Sequence, residues 1–238
     1  MSINGLWKKK RIWVIPVYGF FYMAAFVFLE NNSSAKLHMI HSVIDDQIPF
    51  CEYFIIPYLM WFLYITCVIC YFAFGKRSSK EYYQLLVSLG TGMTVFIITC
   101  FVYPSGQALR PELTGDGIFI KLVEMLYHMD TPTNVLPSMH VFCSSACWLA
   151  LYEHTRGRIE KQKDNRKLKQ QKAGLAGAGV LTAAIILSTV FLKQHSVIDV
   201  ASAVLLNIIC YQLYYKIIPV RYKKRVLSGE REESVSYF

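Results

Sequence analysis

Long apolar runs alternate with short polar stretches along most of the chain. Ile12–Leu29, Tyr53–Phe74, Tyr82–Tyr103, Val135–Tyr152 and Gly174–Leu192 contain no Asp, Glu, Lys or Arg, and Val197–Tyr215 contains only Asp199. Each run is close to the ~20 residues a helix needs to cross a bilayer. The pattern therefore predicts an all-α membrane protein, with six transmembrane helices in one bundle making a single domain over 1–238. The first run lacks a small-residue cleavage site and has the length of a span, so it reads as a helix that stays in place. Gly174, Gly177 and Gly179 would let a neighbouring helix approach the fifth span closely. Between the third and fourth runs, residues 104–134 form a long connector. Ile118, Leu122, Met125 and Leu126 have helical spacing and predict a short helix near Ile118–Met129, lying on the membrane surface.

Composition changes the picture only at one point. A net charge of +9 invites a nucleic-acid reading. With 54% hydrophobic and 17% charged residues, neither a soluble basic domain nor a disordered tail fits, and nucleic acid is not an expected partner. The basic residues are also unevenly placed. Of the 25, 21 fall in the N-terminal segment, residues 75–81, residues 153–173 and the tail from Lys216; the other side has only Lys36, Arg110, Lys121 and Lys193. Cationic loops stay inside, so both termini are expected in the cytoplasm and residues 30–52 and 104–134 outside. The run from Arg156 to Lys172 lacks aromatic residues and reads as a topology determinant that touches anionic headgroups. Trp and Tyr gather near span ends, as interfacial belts do. The seven cysteines lie in or beside apolar stretches, and Cys67 and Cys70 have no second pair or His partner, so they read as small buried hydrophobes.

Ionisable residues within spans are costly and mark function. Here they converge at the outer ends of the last three spans. His140 follows Pro137-Ser138-Met139, while His195 and Asp199 stand at i, i+4 about the start of the sixth span. On a helix those two would share a face, and the carboxylate would fix the imidazole tautomer and sharpen its free nitrogen. Arg110 and Lys193 lie on the same membrane side and supply positive charge for phosphate. Two histidines, one carboxylate and two cations make a metal-free set for phosphoryl transfer. The pentapeptide His-Ser-Val-Ile-Asp also occurs earlier, at His41–Asp45, without a long apolar run after it. That copy reads as a capping or lid element. His38 and His128 carry no assigned role, and His154 lies on the cytoplasmic side.

Three stretches carry a family resemblance. They are Tyr103-Pro-Ser-Gly-Gln-Ala-Leu-Arg110-Pro111, Pro137-Ser138-Met139-His140, and Ser188-Thr189-Val-Phe-Leu-Lys-Gln-His195-Ser-Val-Ile-Asp199. In order, spacing and position they resemble the Lys-x6-Arg-Pro, Pro-Ser-Gly-His and Ser-Arg-x5-His-x3-Asp motifs of the type 2 phosphatidic acid phosphatase superfamily. The resemblance implies a lipid phosphate substrate, no metal and no cofactor. It makes His195 the nucleophile that becomes phosphohistidine, Asp199 its orienting carboxylate and His140 the general acid, with Ser138 and Arg110 on the phosphate. Tyr103, Met139 and Thr189 depart from the motifs, removing two family cations and leaving Lys193 as their partial replacement.

Three functions compete on this sequence. The first is a lipid phosphate phosphatase of the plasma (cell inner) membrane with its site on the extracytoplasmic side. The second is a headgroup transferase similar to inositol phosphorylceramide and sphingomyelin synthases. The third is a non-catalytic lipid-binding membrane protein.

Overall fold

A computed structural model describes residues 3–31, 37–74, 79–159 and 164–219. Lys36, Lys76, Arg77, Lys161, Lys163 and the basic tail beyond residue 219 lie outside the described residues.

The apolar runs fold as helices: α1 (Ile3–Asn31), α3 (Ile55–Phe74), α4 (Ser79–Val102), α6 (Met139–Ile159), α7 (Asn165–Phe191) and α8 (Val197–Tyr211), the last continued by a π-helical turn at Gln212–Ile217. Two shorter helices, α2 (Val43–Gln47) and α5 (Ile118–Met129), sit in the connectors. Among the described residues the departure from an all-helical fold is a two-residue parallel pair, β1 (His38–Met39) with β2 (Ser105–Gly106), extended by a bridge from Gly106 to Thr133. Its hydrogen bonds hold the two connectors together and serve backbone groups that no helix satisfies.

Among the described residues, five helical segments are long and apolar enough to cross a membrane: Trp13–Glu30, Glu52–Phe74, Lys80–Val102, Asn165–Phe191 and Val197–Ile217. Their outward faces carry large side chains such as Phe20, Phe21, Phe62 and Phe101, all exposed. That inverts the usual soluble arrangement and suits a hydrocarbon solvent. α6 is long enough to cross but less apolar than the others. It packs against α3, α4, α7 and α8 at the centre of the bundle. A helix surrounded by helices can carry Ser144 and His154 inward, where polar groups find partners.

Phe72, Tyr82, Leu85, Phe142 and Ile185 form the main core between these helices. Close approach is used at Gly92, where a methyl group would stand 2.0 Å from Phe142 Cε1. On the fifth span only Gly179 fits the expected packing role, with Trp148 Nε1 3.0 Å from such a methyl; Gly174 and Gly177 face open space.

α7 begins nine residues before the apolar run, inside the basic stretch. Asp164 starts it by accepting from the backbone N–H groups of Arg166 and Lys167. Lys, Arg and Gln are good helix formers, so a helix continues where hydropathy stops. The bundle has two chemically distinct ends. At one, His154 meets Glu81 at 3.0 Å and Lys216 meets Glu153 at 2.7 Å. His140 lies one helix away, about 21 Å along α6.

Candidate functional site

α7 stops at Leu192, and Lys193 turns the chain with a φ of 54°. The carbonyl of Thr189 receives the backbone N–H groups of both Gln194 (2.9 Å) and His195 (3.0 Å), which pins the turn to the helix end. Ser196 then caps α8: its hydroxyl accepts from Ile198 N, and Asp199 Oδ2 accepts from Ser196 N at 2.9 Å. His195 therefore precedes the cap and does not share a helical face with Asp199. The two meet all the same, with His195 Nδ1 3.4 Å from Asp199 Oδ2. Asp199 is wholly buried. His195 Nδ1 and Asp199 Oδ1 have no hydrogen-bond partner among the described residues. The pair is close without being aligned for a hydrogen bond.

His140 enters from the first turn of α6. Ser138, just before it, donates its backbone N–H to the Asp199 carbonyl at 3.2 Å and accepts from Val141 N at 3.5 Å. This lashes the starts of α6 and α8 together. The Ser138 hydroxyl is fully buried on that cap. The His140 ring packs against Tyr58 and Trp61, with centroids 4.5 Å away in each case, and faces His195 at 5.8 Å.

The two cations are more engaged than the sequence indicates. Arg110 donates to the carbonyls of Tyr127 (3.0 Å) and Asp130 (2.5 Å) and to Gln194 Oε1 (2.6 Å), and lies 4.4 Å above the Tyr127 ring. Burial pulls its pKa down from the ordinary value, against the opposing pull of Asp130. Burial likewise pushes the Tyr127 phenol up to about 12, against Arg110. Lys193 is buried, and its ammonium donates to the carbonyls of Asp45 and Ile48. It holds the connector containing α2.

The earlier pentapeptide is part of the same construction. Ser42 and Asp45 form a capping box on α2, as Ser196 and Asp199 do on α8. Asp45 also accepts from Ser196 Oγ (2.6 Å) and Val197 N (2.8 Å), placing a buried carboxylate at the head of α8. His41 has a different partner from His195: it pairs at 2.9 Å with exposed Asp46, which raises its pKa by hydrogen bonding.

Three residues without an assigned role in the sequence take part, beside Asp45 of the pentapeptide read as a capping or lid element. Gln107 donates to the Lys193 carbonyl at 2.8 Å and steadies the turn. Asp130 accepts from the Tyr58 hydroxyl at 2.8 Å. Gln194 accepts from Arg110 and lines the cavity with the histidines, and Asp45 caps α8. The repeated pentapeptide was a signal for Asp45, and the Lys-Gln-His run a weak one for Gln194. At the departures from the motifs, Tyr103 stacks on His38 at 4.0 Å, and buried Thr189 supplies the carbonyl under the turn.

His140 and His195 stand at the polar end of a cavity of about 470 Å³. Its other walls come from α1 (Tyr22, Phe26), α3 (Leu59, Phe62) and α5 (Leu122, Met125). The apolar stripe of α5 thus faces this cavity. Arg110, Ser138, Lys193 and Asp199 stand behind the wall, and Gln194 and Asp130 are part of it. Among the described residues no group of three or more His, Cys, Asp or Glu is clustered to hold a metal ion. No family model, curated protein or solved structure matches the chain.

Proposed function

We propose that this protein is a metal-independent lipid phosphate phosphatase of the type 2 phosphatidic acid phosphatase kind, working through a phosphohistidine. The carrying observation is the pair of facing imidazoles, 5.8 Å apart at the polar end of an otherwise apolar and aromatic cavity. One of them has a buried carboxylate 3.4 Å from its Nδ1. That cavity accepts acyl chains, and the two rings bracket one phosphoryl group.

Asp199 holds the proton on His195 Nδ1, leaving the Nε2 lone pair to attack phosphorus. The N–P bond forms as the P–O bond to the lipid breaks, and His140 gives its proton to the departing alkoxide. His140, now a base, takes a proton from water. The water oxygen attacks phosphorus, the N–P bond breaks, and inorganic phosphate leaves. Arg110 supplies positive charge from behind Gln194, Ser138 keeps α6 against α8, and Lys193 fixes the turn from its far side.

In this reading α6 is a sixth span and both termini are cytoplasmic. The site faces the extracytoplasmic side of the plasma (cell inner) membrane. The uneven basic residues support that orientation. Membrane lipids enter sideways between α1, α3 and α5.

Purified protein incubated with a panel of phosphatidic acid and prenyl phosphates, in the presence of a chelator, is expected to release phosphate, and His195→Ala to abolish release. Equal release by the variant refutes the reading. Headgroup appearing on a lipid alcohol in place of free phosphate identifies a transferase, and lipid binding without a trapped phosphoenzyme a non-catalytic protein.

A further inference from the structure

Two cavity-lining residues that the catalytic scheme does not use carry a buried donor with no hydrogen-bond partner among the described residues, Trp61 through Nε1 and Gln194 through Nε2, and of these Gln194 is the one held by a cation. Arginine only donates hydrogen bonds, so the Gln194 atom that meets Arg110 Nη2 at 2.6 Å is the amide oxygen. This contact sets the flip of the amide and turns its NH2 away from the guanidinium. Gln194 is 2% exposed, its Nε2 has no hydrogen-bond partner among the described residues, and the residue lines the cavity beside His140 and His195. A buried donor left unpaired is costly, and proteins keep one where a ligand supplies the acceptor.

Charge placement points the same way. Among the described residues no Lys or Arg lines the cavity, whereas Asp130 does. Arg110 spends its described hydrogen bonds on two carbonyls and Gln194, and Lys193 spends its own on Asp45 and Ile48. An anion in the cavity meets no cation directly among the described residues. An unpaired donor in the wall beside the histidines is the Gln194 NH2, polarised by a guanidinium on the amide's other side.

We infer that Gln194 is the residue that donates to a non-bridging phosphoryl oxygen, and that Arg110 is a positioning residue acting through it. The inference rests on the proposed function only in taking the ligand to be a phosphoryl group.

Orthovanadate, a phosphoryl mimic, is the probe. Its binding to the full-length protein is followed by tryptophan fluorescence, since Trp61 packs on His140 at 4.5 Å. Gln194→Met removes the donor at similar size. Gln194→Glu removes it too but gives Arg110 an ion-pair partner, so that variant stays folded even where the Met variant does not. The expected losses in vanadate affinity are about tenfold for Met and about 100-fold for Glu, in the range of a lost donor to an anion. Arg110→Gln is expected to weaken vanadate in the wild-type background and to add little on top of Gln194→Met, the non-additivity of residues acting in series. Unchanged affinity in the Gln194→Glu variant, strict additivity with Arg110, or no vanadate binding by the wild-type protein overturns the inference. Phosphate release from lipids is scored on the same samples. Gln194-dependent vanadate binding without lipid turnover upholds this inference and defeats the phosphatase reading alone.

Discussion

At the scale of single residues, the site separates groups that face the cavity from groups that hold them in place. His140 and His195 reach the cavity; Ser138, Asp199, Arg110 and Lys193 do not. Under the proposed chemistry the two histidines should then respond differently to the leaving group. His195 forms the bond to phosphorus with any substrate. His140 matters only while the departing oxygen needs a proton. His140→Ala is expected to cost about 10²–10⁴-fold in kcat for a lipid alkoxide leaving group. Its loss with p-nitrophenyl phosphate, whose phenolate leaves unprotonated, is expected to be at least tenfold smaller. His195→Ala should be equally inactive on both. Parallel assays of the two substrates check this, and equal losses in the His140→Ala variant would remove it from the acid's role.

At the scale of elements, the site is a junction of helix ends made by short polar turns. Asp45 joins α2 to α8 through Ser196 Oγ and Val197 N, and Lys193 returns the connection to the Asp45 and Ile48 carbonyls. Asp45→Asn would put an NH2 among groups that are themselves donors, leaving a buried hydrogen bond unmade at about 1–3 kcal/mol. An apparent Tm lower by roughly 3–10 °C in detergent is expected, with a fall in kcat as the turn carrying His195 loosens. Asp46→Asn, one residue on and exposed with His41, should change Tm little. Matching losses from the two neighbours would dissolve the clamp.

These elements also show what could be read beforehand. Apolar runs locate helices because hydropathy is a property of each segment alone. The start of α7 escaped because Lys and Gln continue a helix that hydropathy ends. The i, i+4 spacing of His195 and Asp199 found the right pair for a reason that does not hold here, since Ser196 interposes a helix cap. The Asp45 and Gln194 contacts join positions far apart in sequence, and only the packed turns create them. Lys193 had the right neighbourhood, but its φ of 54° and its carbonyl partners direct the ammonium away from the cavity.

For the whole molecule, the decisive question is which end of the bundle faces which compartment. His154 with Glu81 and Lys216 with Glu153 mark one end, and the histidine cavity the other. The described basic residues Arg156, Arg158 and Lys216 belong with the first end, which faces the cytoplasm in the proposed orientation. If α6 crosses as a sixth helix, the 104–134 connector and the stretch after α6 lie on opposite sides. Asp116, exposed in that connector, and Gly157, exposed in the last turn of α6, sample those two sides. In intact cells a membrane-impermeant maleimide is expected to label Asp116→Cys above the background of the native cysteines. Gly157→Cys should be labelled only after permeabilisation. Labelling of both positions in intact cells would mean that α6 does not cross. The reverse pattern would turn the bundle over, placing the histidine cavity in the cytoplasmic leaflet and requiring its lipid to come from that side.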